Sequence, residues 1–129
     1  MDPVKVLQNA YQNELLDALR AEGAAQGVPY PHVRALLLEV ARRERAHAEA
    51  LAEALRRRGA PLPPTPKPEE GGWETLLRLL SEEGLDRAYY LESTFPDPEL
   101  EALFTRLGQE ERLNQEAVRK AVMLIGGGL

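Results

Sequence analysis

Residues 59–72, "GAPLPPTPKPEEGG", limit what this chain can fold into more than any other stretch. They separate a pair of regions that each read as two amphipathic helices closed by a short proline turn. Reversing the chain takes only a handful of residues. A proline-rich segment rises ~3.1 Å per residue, so this one spans about 40 Å. The helix before it, at ~1.5 Å per residue, has a similar length. The segment therefore predicts a crossover from one end of a bundle back to the other, with the second and third helices parallel. The alternative, a flexible tether between independent hairpins, leaves each hairpin little apolar surface to bury.

Four helices are expected and no strand. The first starts at Asp2-Pro3, a capping residue followed by proline in the first turn, and runs to about Gly27. Its apolar stripe is Leu7, Tyr11, Ala18, Ala21 and Ala25, with Glu14 in phase. "PYPH" opens the second helix, which ends near Gly59. The third is expected over roughly Glu70 to Thr94, with a stripe of Trp73, Leu77, Leu80, Ala88 and Leu91. The fourth runs from Pro98 to about Ile125 on Leu100, Phe104, Leu107, Glu111, Asn114, Val118, Ala121 and Ile125. The turns "PYPHV" (29–33) and "PDPEL" (96–100) superpose at an offset of 67, which also pairs Leu36 with Leu103, Val40 with Leu107 and Glu44 with Glu111. That shared register points to a duplicated hairpin. The chain is read as a single domain, with hairpins over about 3–58 and 73–125 and the crossover at 59–72.

The stripes carry the functional signal because they are interrupted. In "ERAH", Glu44 and His47 stand three residues apart on the face that Val33, Leu37, Val40 and Leu51 mark as buried. An unpaired carboxylate in an apolar interior is very costly and takes up a proton unless something compensates it. Glu14 and Glu111 bring two more carboxylates in phase. Converging acids repel, and a divalent cation is the simplest remedy; oxygen and imidazole ligands suit iron or manganese ahead of zinc. A buried Glu–His pair satisfied by its neighbours is the plainer alternative.

These residues resemble the ferritin-like di-iron carboxylate superfamily, and within it most closely the rubrerythrin domain. The superfamily's pattern is one Glu from each of two helices and Glu-x-x-His from each of the other two. "AYQNELLDALRAEGAA" supplies Glu14 and "ERAH" supplies Glu44 and His47, while the second half departs. Asn114 stands where the second histidine belongs, the 67-residue offset puts Ser81 at the helix-three glutamate, and Glu82 and Glu83 are out of phase with it. The resemblance implies an all-α ferritin-like bundle that holds at most one metal ion, at Glu14, Glu44, His47 and Glu111. It also implies that the full di-iron peroxidase or ferroxidase chemistry is lost. Asn114 offers a weak oxygen ligand, Glu83 joins only if the register shifts, and Arg78 offers a guanidinium where the second ion is missing.

Composition narrows the rest. With 16 Lys+Arg against 21 Asp+Glu, a net charge of −5, and no basic patch, a nucleic-acid surface is not expected. The absence of cysteine excludes thiolate metal sites and cysteine nucleophiles. Nothing reads as a signal peptide or a membrane span, so a cytoplasmic protein is expected, and the Arg, Glu, Ala, Leu and Pro excess hints at a thermophile. A homodimer is expected, with Leu85, Tyr89 and Tyr90 as candidate contact residues. A non-catalytic interaction bundle that has lost metal is the competing function.

Overall fold

The computed structural model describes residues 2–68 and 73–126; within helices, the side chains of Trp73, Leu80, Ser81, Glu83 and Gly84 lie outside that description. Its described residues form four helices, α1 (Pro3–Gln26), α2 (Pro31–Arg57), α3 (Trp73–Glu92) and α4 (Pro98–Gly126). Asp2 caps α1 as expected, its Oδ1 accepting from the Val4 N–H at 3.0 Å ahead of proline in the first turn. Helix α2 ends in a closed turn: the Ala60 N–H reaches the Leu55 carbonyl and the Gly59 N–H reaches that of Arg56. Gly59 takes φ +65° there, a conformation in which a side chain is strained. The expected start of α3 near Glu70 lies outside the described residues.

The bundle's neighbours are α1 with α2, α3 with α4, α2 with α4, and α1 with α3. Each pair is antiparallel. Leu7 clusters with Leu51 and Leu55 while Ala25 clusters with Val33. Tyr90 meets Phe104 at one end of the α3–α4 pair and Leu76 meets Ala121 at the other. Arg43 bonds Asn114 and Arg58 bonds Asp97. Consequently α2 and α3 run in the same direction on a diagonal, the ferritin-like topology that the long linker predicts. The linker itself lies along α1. Gln8 Nε2 donates to the Pro61 carbonyl at 3.0 Å and Gln12 Nε2 to that of Pro64 at 3.1 Å, so the chain travels back beside the first helix.

The stripe expected on α3 is one place where the structure differs. Buried there are Thr75, Leu76, Leu79, Asp86 and Tyr90, while Leu77 and Leu91 are 43% and 50% exposed. Leucines stand on both sides of this helix and polar residues interrupt its inner face, so hydrophobic periodicity selects the wrong leucines. Tyr90, expected among surface contacts, points inward. No helix among the described residues is long and apolar enough to cross a membrane.

Two apolar plugs define the interior. One gathers Leu7, Leu51, Leu55, Tyr90, Phe95, Phe104 and Leu107. The other gathers Ala21, Val40, Leu79 and Val118, backed by Leu37, Leu76 and Ala121. Between them lies a polar layer of Glu14, Asp17, Glu44, His47, Asp86, Glu111 and Asn114, all buried.

Candidate metal centre

Four helices contribute to the polar layer, and the register of each explains its contribution. Glu44 and His47, three apart on α2, project from one face. Glu14 of α1 and Glu111 of α4 occupy stripe positions otherwise filled by alanine, leucine and valine. The structure brings these four sequence-predicted residues together: one ligand-capable atom from each lies within 4.8 Å of the others.

His47 is the pivot. Its Nδ1 lies 3.0 Å from Glu111 Oε1 and its Nε2 2.9 Å from Glu110 Oε1. Glu14 Oε2 is 3.5 Å from the same Nδ1, a longer approach than that of Glu111 and beyond a good hydrogen bond. Glu14 Oε2 is therefore a buried oxygen with no hydrogen-bond partner among the described residues. Burial disfavours a charged imidazolium, yet hydrogen bonds and charge from Glu111 and Glu14 outweigh it and push His47 up to about 10. Burial and the Glu111 charge push Glu14 up to about 7, against the pull of Glu44 and His47. Both shifts record one condition, more acid than cation in a space closed to water.

The residues around this centre hold it in place. The Tyr90 hydroxyl donates to Glu14 Oε1 at 2.6 Å. Tyr90 is in turn packed edge-on against Phe104, 5.0 Å between ring centroids, and Phe104 meets Phe95 at 4.7 Å. Asn114 Nδ2 donates to Glu44 Oε1 in a short contact and lies 3.5 Å from Glu111 Oε2. Its Oδ1 accepts from Arg43 Nη1 at 2.6 Å. That arrangement corrects the expectation for Asn114: its oxygen faces Arg43, and its amide hydrogens face the acids. Arg78 is also placed differently from the sequence reading, on the exposed side of α3. Two other guanidinium groups approach the layer: Arg43 acts through Asn114, and Arg20 contacts Asp17. The Glu83 side chain lies outside the described residues.

Three residues were missed by the sequence reading. Glu110 escaped because it sits beside the α4 stripe, at the rim, where only its neighbour across the bundle gives it meaning. Asp17 and Asp86 escaped because neither occupies the single stripe drawn for its helix. Both are buried, and with Glu44 they form a second group of carboxylates whose oxygens lie within 4.8 Å of one another.

The donor set fits a metal ion on its own terms. A buried carboxylate oxygen without a donor, two further carboxylates and an imidazole are oxygen and nitrogen ligands for a first-row divalent ion. Comparison with known proteins points the same way. No curated protein sequence matches the chain significantly. The rubrerythrin family model matches residues 5–95, which cover α1, α2, the crossover and α3 and so carry Glu14, Glu44 and His47. The match spans well over half of the chain, which therefore belongs to the rubrerythrin family, within the ferritin-like superfamily.

Proposed function

We propose that this protein binds one iron or manganese ion through Glu14, Glu44, His47 and Glu111 and lacks full di-iron peroxidase or ferroxidase activity. The observation that carries the reading is the orphaned Glu14 Oε2 facing an imidazole and two carboxylates in a buried layer. A divalent ion there would satisfy that oxygen and offset the repulsion that raises Glu14. His47 would offer Nδ1 to the ion while Nε2–H donates to Glu110, the carboxylate–imidazole–metal relation that fixes the ring and its tautomer. Tyr90 orients Glu14 and Asn114 orients Glu44, so both carboxylates are held before an ion arrives.

The loss of the second family position has a physical reading as well. An amide at Asn114 supplies donors where a histidine would supply a lone pair. Bonded on its oxygen side to Arg43, Asn114 cannot turn that oxygen inward without breaking the 2.6 Å bond to the guanidinium. Two-electron reduction of peroxide by a metal pair needs both ions in their family positions. A single ion at this centre would supply Lewis acidity and one-electron redox chemistry.

One observation favours a second reading. Both nitrogens of His47 already meet carboxylates, and a protonated imidazole neutralises some of the layer's charge without any ion. On that reading the fold persists as a non-catalytic bundle. Cobalt(II) separates the two. Chelator-treated protein is titrated with Co(II), following the visible ligand-field bands and the melting temperature. Bands that saturate at one imidazole-ligated ion per chain, with a higher Tm, are expected, and His47→Gln should lose them. A wild type that gains neither band nor thermal stability leaves only the metal-free bundle.

A further inference from the structure

The geometry points to a binding site for a small organic anion, an oxyanion head on a short apolar body, in the cleft where the end of α2 meets the start of α4. None of the cleft's residues belongs to the polar layer, and the inference does not depend on the metal-binding reading.

The cleft has a volume of about 330 Å³, a size suited to a small ligand. Its rim carries three guanidinium groups, Arg57 and Arg58 from the end of α2 and Arg106 from α4, against one carboxylate, Glu99. In a chain of net charge −5 that is a local reversal of sign. Leu100, Leu103 and Ala54 make its floor apolar. The three arginines are not equally committed. Arg58 serves the fold: its Nη2 donates to Asp97 Oδ2 at 2.6 Å and its Nη1 to the Ala54 carbonyl at 3.1 Å. Arg106 approaches Glu110 at 3.7 Å, between largely exposed side chains, a contact of little worth. Neither Arg57 nor the Glu99 side chain has a hydrogen-bond or ion-pair partner among the described residues. Two guanidinium groups from different helices therefore line one hollow with donors to spare. A guanidinium fork matches the paired oxygens of a carboxylate or phosphate, and the leucine floor takes the apolar part of the same molecule.

The competing explanation is that cations gather at a helix C-terminus because they offset its dipole. That accounts for Arg56 and Arg57 in the last turn of α2. It does not account for Arg106, which stands two turns inside α4 on the opposite wall, or for an apolar hollow between the two walls.

The test is titration of the chelator-treated full chain with phenyl phosphate and with benzoate, followed by amide shifts in proton–nitrogen correlation spectra. Removing metal first keeps the anion from binding an ion instead. Saturable shifts confined to the end of α2 and the first turns of α4 are expected, and the tighter probe identifies the head group. Arg57→Gln and Arg106→Gln, both at exposed positions, should each weaken binding by about tenfold or more. Glu99→Gln should strengthen it. Arg56→Gln is the control: Arg56 pairs with Glu49 and Glu53 and does not line the cleft, so binding should be unchanged. Equal weakening in Arg56→Gln and Arg57→Gln overturns the site and leaves diffuse attraction to a basic helix end. Inorganic phosphate or benzyl alcohol binding as tightly as phenyl phosphate overturns the two-part ligand. No saturable shift with either probe overturns the proposal, whatever the metal titration gives.

Discussion

At the scale of single residues, the legible ones were those that break a pattern. Glu14, Glu44, His47 and Glu111 each stand where a helix stripe calls for an apolar side chain, and the structure gathers all four. Glu110 breaks no pattern. Its importance comes from a 2.9 Å approach to His47 across the bundle, which spacing along one helix cannot reveal. Tyr90 was legible only as an aromatic on α3; its hydroxyl's bond to Glu14 depends on which face turns inward. That bond is testable. Removing the hydroxyl in Tyr90→Phe leaves Glu14 Oε1 without its donor inside a closed layer, a loss of about 1–3 kcal/mol for a hydrogen bond to a charged acceptor. Urea unfolding of the metal-free variant should show a lower midpoint with an unchanged slope. A midpoint equal to wild type would show that Glu14 is held by other contacts.

At the scale of elements, α1, α2 and α4 were readable and α3 was not, for a physical reason. Stripe positions on α4 from Leu100 through Phe104, Leu107, Glu111, Asn114, Val118 and Ala121 are all buried, and Ile125 at the helix end is partly buried. On α1 the stripe was right but too narrow. The helix packs against both α2 and α3, so Ala10, Asp17 and Ala24 join the buried face and bring Asp17 into the layer. On α3 the leucines at 76, 77 and 79 permit more than one buried face, and the two polar residues that fix the choice, Thr75 and Asp86, look like surface. Contact with α4 settles the register. A Cβ on Gly108 would stand 2.8 Å from Leu91 Cδ2, 3.0 Å from Leu91 Cγ and 3.2 Å from Tyr90 Cβ. Gly108→Ala would gain about 1 kcal/mol of helix propensity. It would also press on the root of the Tyr90 side chain, and overpacking of this kind costs about 1–3 kcal/mol. Half-exposed Leu91 can swing away, but Tyr90 Cβ cannot move without carrying the hydroxyl that holds Glu14. The expected outcome is a net loss of about 1 kcal/mol in chemical denaturation, with weaker Co(II) binding.

Across the whole molecule, the topology follows from one linker and the chemistry from one layer, and the two are connected. Antiparallel neighbours on all four sides bring the midpoints of four helices to one level, so acids placed mid-helix must meet there. Apolar plugs above and below then deny them water. The pH response of the metal-free protein should report this directly. Burial pushes Glu14 up to about 7, Asp17 up to about 6 and Asp86 up to about 12, and the acids around His47 hold it up at about 10. For all four groups the folded state holds its proton more tightly than the unfolded chain does. Their stabilisation is therefore full below the ordinary carboxylate range. It is lost as pH rises, first through the windows of Asp17 and Glu14 and then through that of His47. Glu22, drawn down by Arg45, acts in the opposite direction, but only as pH falls below its ordinary value. Between about pH 5 and pH 9 the melting temperature of chelator-treated protein should fall steadily, with Asp86 contributing across the whole range. Mn(II) should reverse the trend, because an ion replaces the protons the layer would otherwise bind, and its stabilisation grows as those protons leave. Melting curves across that range, with and without the ion, should diverge toward high pH. Parallel curves would mean that ion and protons do not compete for the same oxygens, and that the layer is not where the ion binds.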